Sequence, residues 1–209
     1  MKSMKSLSVI AGALLGALAL GGCSTNSVVA NVAKAAFEDR LVEEQITDAK
    51  IKTGIAERLI SIDKMLLVDL NVDIWKTRVM VTGSLSSAKL RNQVAGAVQQ
   101  DGRVSYYYNE AIIVTEEQQA QRREWKEKAQ DGAQKAAEVF DDVWIETKIS
   151  AQLIAGEGVN SVNYRWRSVL GVVYILGEAQ TAQEWKAVQS IIKGIKGIKS
   201  LKSHVLVRG

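Results

Sequence analysis

Apolar and polar positions along this chain follow two periods, and the switch between them occurs in the same order twice. Ile51, Ile55 and Leu59 recur every four residues, the stripe of an amphipathic helix. Val68, Leu70, Val72 and Ile74 then alternate with Asp69, Asn71 and Asp73, which predicts a strand with one wet face. Lys76-Thr77 is a short connection to a second strand over 78–82, making a hairpin. Gly83 closes it where the backbone needs positive φ or a close approach. Ser86 or Ser87 caps a helix running to about Gln99, with Leu90, Val94 and Val98 on one face. Asp101-Gly102 then turns into a last strand ending at Val114.

The second pass begins with a helix that buries Ile145, Ile149 and Leu153. Val162, Tyr164 and Trp166 alternate with Asn163 and Arg165, and a strand over 169–176 follows. Thr181 caps a helix carrying Val188, Ile191, Ile192 and Ile195, and 201–207 is the final strand. Asp48–Thr53 matches Glu146–Ala151 at a shift of 98 (48 to 146), whereas Val79–Gly83 matches Val173–Gly177 at a shift of 94 (79 to 173). On that alignment Ile46 stands opposite Trp144, and Tyr106-Tyr107-Tyr108 makes the first copy one residue longer, predicting a bulge. The expected fold is α+β: two tandem αββαβ two-layer sandwiches, each a three-stranded mixed sheet covered by two helices.

Ahead of the repeats, Lys2 and Lys5 precede an uncharged apolar run over 7–20 that ends in Leu20-Gly21-Gly22-Cys23, the pattern of a secretory signal peptide. The run is too short to span a bilayer as a helix. Leu-Gly-Gly-Cys resembles the bacterial lipobox, which implies lipidation of Cys23; Ser24 after it favours the outer membrane. Removal of Lys2 and Lys5 leaves 25 basic against 23 acidic residues, so the net charge of +4 becomes +2 and does not point to nucleic acid. The single cysteine and single histidine exclude a disulfide scaffold and multi-His metal sites. The carboxylates show no reactive pairing, so no catalytic residue, metal or cofactor is expected.

Asp48-x-x-Ile51-Lys52 opening a helix, Val79-x-Val81-x-Gly83 ending a strand and Gly102-x-Val104 leading to the last strand resemble the BON domain. Glu146-x-x-Ile149, Val173-x-Ile175-x-Gly177 and Gly197-Ile198 repeat the pattern. With the lipobox, the chain resembles tandem BON-domain outer-membrane lipoproteins. The expected organisation is a signal peptide (1–22), an acylated tether (23–45), a first domain (46–115), a helical linker (116–141) and a second domain (142–208). The resemblance implies a non-enzymatic protein on the periplasmic face of the outer membrane, binding anionic phospholipid through its second copy and supporting envelope integrity. An adapter for an envelope protein partner, or an osmotic-stress periplasmic chaperone, is the alternative.

Trp144 lies off the core stripe of its helix, with Lys148 and Ala151 on the same side. This suits an indole at the headgroup boundary; a ring packed on the linker helix or the first copy is the alternative. Lys193, Lys196 and Lys199, with no acid after Glu184, form a basic end that either faces anionic lipid or is a solvated rim. Trp166 and Trp185 read as core, Trp75 is ambiguous, and His204 reads as a surface side chain.

Overall fold

In the computed structural model residues 38–130 and 141–209 are described, and Phe37–Gly209 form one compact unit. The lipobox and Cys23 lie outside the described residues. In chain order the elements are α1 (Val42–Ile62), a one-turn helix α2 (Leu66–Asp69), β1 (Leu70–Trp75), β2 (Arg78–Leu85), α3 (Ala88–Gln99), β3 (Tyr106–Ile113) and α4 (Glu116–Gln130). They continue with α5 (Asp141–Ala155), β4 (Tyr164–Val169), β5 (Val172–Ala179), α6 (Ala182–Lys193) and β6 (Ser200–Val207).

The two three-stranded sheets have one topology. β1 pairs antiparallel with β2, β2 parallel with β3, and β4–β5–β6 repeat this. The three strands and the helix between the second and third recur at a constant shift of 94 residues (70 to 164, 78 to 172, 88 to 182, 106 to 200). The helix stripes obey it too: Ile51, Ile55 and Leu59 map onto Ile145, Ile149 and Leu153, all fully buried. The shift of 98 inferred for the first helix is therefore wrong by four residues, one helical turn, an error that keeps the apolar stripe in phase. Asp48 corresponds to Asp142, not Glu146, and Lys50, not Ile46, stands opposite Trp144. β3 and β6 are each eight residues long, so no bulge is needed at the tyrosine run.

Both hairpin turns place two residues in the left-handed region, Lys76 (φ 49°) with Thr77 (φ 61°) and Leu170 (φ 54°) with Gly171 (φ 77°). This is the type I′ geometry that matches strand twist. Three of the four residues carry side chains and are strained there. The compensation is a carboxylate from the adjacent helix: Asp48 accepts the N–H groups of Lys76 (2.9 Å) and Thr77 (2.8 Å), and Asp142 those of Leu170 (2.8 Å) and Gly171 (2.9 Å). Asp142 thus holds a turn rather than capping α5. Ser87 and Thr181 cap α3 and α6 through Leu90 N–H and Glu184 N–H.

The polar sheet faces are largely covered, because the two sheets pack against each other. Trp75, Met80, Val169, Tyr174 and Leu176 form a third apolar cluster between them, separate from the helix-covered core of each repeat. Asp73, expected in solvent, is 4% exposed and pairs with Arg167. Arg78 donates to the carbonyls of Gly177 (2.7 Å) and His204 (2.8 Å), and Lys76 pairs with Glu178 (2.8 Å). His204 stacks on Tyr108 at 3.9 Å and bonds Glu110 at 2.9 Å, so it is an interface residue, not a surface one. Val68 turns in α2 and Val162 in a one-turn 3₁₀ segment, so β1 and β4 begin later than the alternation implied.

Residues of the expected tether also join the fold. α1 starts at Val42, and Glu38 pairs with Arg165 while Arg40 pairs with Asp48. Asp39 receives the side-chain amides of Asn163 (2.6 Å), Asn160 (2.9 Å) and Gln180 (2.7 Å), which hold its carboxyl below the usual range. The Arg40 and Arg165 guanidiniums lie 4.4 and 5.2 Å from the ring centre of Trp75.

Candidate functional site

α5 presents one face to the sheet and the opposite face to solvent. Ile145, Ile149 and Leu153 are sealed inside, and Trp166 Nε1–H donates to the Glu146 carbonyl beneath the helix. With 100° per residue, Trp144, Lys148 and Ala151 fall on the far side. Trp144 is 42% exposed and belongs to none of the three buried clusters. The Lys148 ammonium lies 5.6 Å from its ring centre, within cation–π range, and Ala151 is exposed. Val143, 51% exposed, extends this apolar surface, and Ile154, 71% exposed, stands apart at the far end of α5; neither stood out from the sequence, because both flank rather than join the Trp144 row.

Lys193, Lys196 and Lys199 are all exposed. Lys193 ends α6, and the loop after it that carries Lys196 and Lys199 meets α5 at Ile145. A Cβ built on Gly197 would be 3.7 Å from Ile145 Cδ1, and one on Gly171 would be 3.0 Å from the Gly197 carbonyl. Lys199 Nζ donates to the Leu170 carbonyl at 2.9 Å. The structure therefore brings Trp144, Lys196 and Lys199 to one end of the second repeat. Lys193 sits behind them at the α6 terminus, and Ala151 lies roughly 10 Å further along α5. Among the described residues Lys193 and Lys196 have no ion-pair partner, while Lys202 is taken by Glu110 and Arg208 by Glu178.

Of the acids at this end whose side chains are described, Asp142 and Glu146 are occupied. Asp142 holds the hairpin and the Ser168 hydroxyl (2.7 Å) and lies 3.5 Å from Arg122. Glu146 accepts Ser168 N–H (2.8 Å), and burial pushes its carboxyl up. At the equivalent positions the first repeat has Lys50, Gly54 and Glu57 in place of Trp144, Lys148 and Ala151. It has Gln99, Gly102 and Ser105 in place of the three lysines. The Trp–Lys pair and the basic end belong to one repeat only. Trp185 and Trp166 pack partly buried against the second core, and Trp75 is fully buried between the sheets.

Among the described residues no helix is long and apolar enough to cross a membrane, and no cluster of His, Cys, Asp or Glu is arranged to hold a metal ion.

Residues 141–209 match the BON domain. Over 163 residues the chain is 31% identical to the uncharacterized protein in gshII 5′ region of Anaplasma centrale, spanning 78% of this chain and 96% of that protein. The chain belongs to the family of that protein, and its residues 141–209 are a BON domain. Among solved structures it is similar to CdsD, a structural protein of the type III secretion system of Chlamydia trachomatis, at 9% identity and a TM-score of 0.30, covering 76% of this chain and 92% of that one. The C-terminal domain of CdsD gives 10% identity and a TM-score of 0.30, covering 74% and 96%.

Proposed function

We propose that this is a non-enzymatic, lipid-anchored protein of the outer membrane's periplasmic face, in which tandem BON domains bind anionic phospholipid and support envelope integrity. Acylated Cys23 supplies attachment, and the second domain supplies reversible headgroup contact. The observation that carries this reading is Trp144, uncovered on the outer face of α5 beneath the Lys148 ammonium, in the repeat that also holds Lys193, Lys196 and Lys199. An indole beside a cation suits the boundary between acyl chains and headgroups. Each lysine near an anionic surface adds about 1 kcal/mol, screened by salt. Ala151, small and exposed on the same side, adds no bulk beside the Trp144 and Lys148 pair. The first domain, fused to the second through its sheet, orients it.

Co-sedimentation of the unacylated 24–209 chain with vesicles tests this. Binding to phosphatidylglycerol-containing vesicles, loss on Trp144→Ala and steep weakening with salt are expected. Equal binding to zwitterionic vesicles, or none, overturns it. A salt-insensitive association with an envelope protein through the same face would favour the adapter alternative.

A further inference from the structure

Leu170 is a large apolar residue at the tip of the β4–β5 hairpin, 48% exposed and held at φ +54°. Leucine is costly on both counts, and Asp142 holds the turn through the Leu170 backbone N–H, a contact that does not depend on the side chain. The equivalent turn of the first repeat carries Lys76 in the same conformation. Asp142 ties this turn to the first turn of α5, and Lys199 Nζ bonds the Leu170 carbonyl at 2.9 Å. Three exposed apolar side chains, Val143, Trp144 and Leu170, therefore share one end of the domain with Lys196 and Lys199, where Asp142 is committed to the hairpin and to Arg122.

From this we infer that the second domain meets an anionic bilayer end-first. Leu170 enters alongside Trp144 at the hairpin tip, the lysines of the α6–β6 loop rest on the headgroups, and the far end of α5 at Ile154 stays in water. The inference rests on the membrane reading above and adds the contact residue and the tilt. Charge complementarity selects the occupant: an apolar tip flanked by Lys196 and Lys199 fits a negatively charged lipid surface.

The test uses the 24–209 chain, which retains the whole compact unit of Phe37–Gly209. Its titrant is vesicles of phosphatidylcholine with about one-third phosphatidylglycerol. Leu170→Asn and Leu170→Gly suit the left-handed turn, so both are expected to keep or raise the melting temperature while weakening vesicle binding about tenfold. Ile154→Asn is expected to bind as the parent does. If Trp144→Ala loses binding but Leu170→Asn does not, the end-first contact falls and the membrane reading stands. Equal losses at Ile154 and Leu170 describe a helix lying flat and overturn the tilt. Lowered melting in both Leu170 variants assigns the residue to the fold and overturns its membrane role. If the parent chain ignores the vesicles, both readings fall together.

Discussion

Asp73 and Arg167 occupy the same position of their two repeats and face each other across the interface, with Nε 2.7 Å from Oδ2 and Nη2 2.9 Å from Oδ1. Glu110 and His204, another matched pair, meet at 2.9 Å. Equivalent residues touch only beside a twofold axis. The mirrored contacts Tyr108–His204 and Glu110–Lys202 agree, since the shift of 94 exchanges them. The two domains are thus related by a pseudo-dyad between their sheets. Asp73→Ala should cost about 2–3 kcal/mol in urea unfolding, at the lower end for a buried pair because Arg167 keeps some solvent access. Exchanging the two residues, Asp73→Arg with Arg167→Asp, should recover most of what either reversal loses.

Gly83 (φ +122°) and Gly177 (φ +156°) let β2 and β5 pass beneath the carbonyls of Asp69 and Asn163; a Cβ at either would come within 2.2 Å. Alanine at either should destabilise by about 3 kcal/mol or more. Gly96, inside α3 with nothing within 4 Å of a Cβ, should behave oppositely, with Gly96→Ala stabilising by about 0.5–1 kcal/mol. Melting temperatures of the three variants check the contrast.

Hydrogen bonds from Arg103 and Arg58 hold the Asp101 carboxyl far below its ordinary 3.8. A depressed carboxylate adds stability above its unfolded value and loses it as pH falls toward the folded one. The gap between parent and Asp101→Asn, about 2 kcal/mol, should therefore be constant above about pH 5 and narrow below about pH 4. Denaturant titrations across that range measure it.

Trp75 and Trp144 should separate by stability alone. Trp75 is fully buried between the sheets, so Trp75→Ala should cost about 3–5 kcal/mol. Trp144 is 42% exposed and lies outside the buried clusters, so Trp144→Ala should cost clearly less, about 1–2 kcal/mol. Thermal melts of both variants decide this.

The order and type of most elements were legible because each repeat has a helix-covered core whose stripes and alternations show in the sequence, as Ile51, Ile55 and Leu59 do. The second sheet face was not. Asp73 reads as a solvent residue, and nothing marks Arg78 or Arg167 as buried, because their partners lie in the other repeat and no local period reports a distant counter-charge. The shift error had a similar origin: an apolar stripe looks the same when slid by one turn, whereas the hairpin-binding Asp48 and Asp142 would have fixed it at 94. Trp144 and the lysines were visible as residue types off the core period. Val143, Ile154 and Leu170 needed the solvent side of the structure to be known.

The sheet-to-sheet seam also bears on the history of the duplication. Once Trp75 and Met80 on one side, and Tyr174 and Leu176 on the other, had become apolar, neither half could be lost without baring an oily wall, so the fusion would be locked in by descent. The outward helices carry no such obligation. There the copies were free to drift apart, and that is where lysine stands in one and tryptophan in the other.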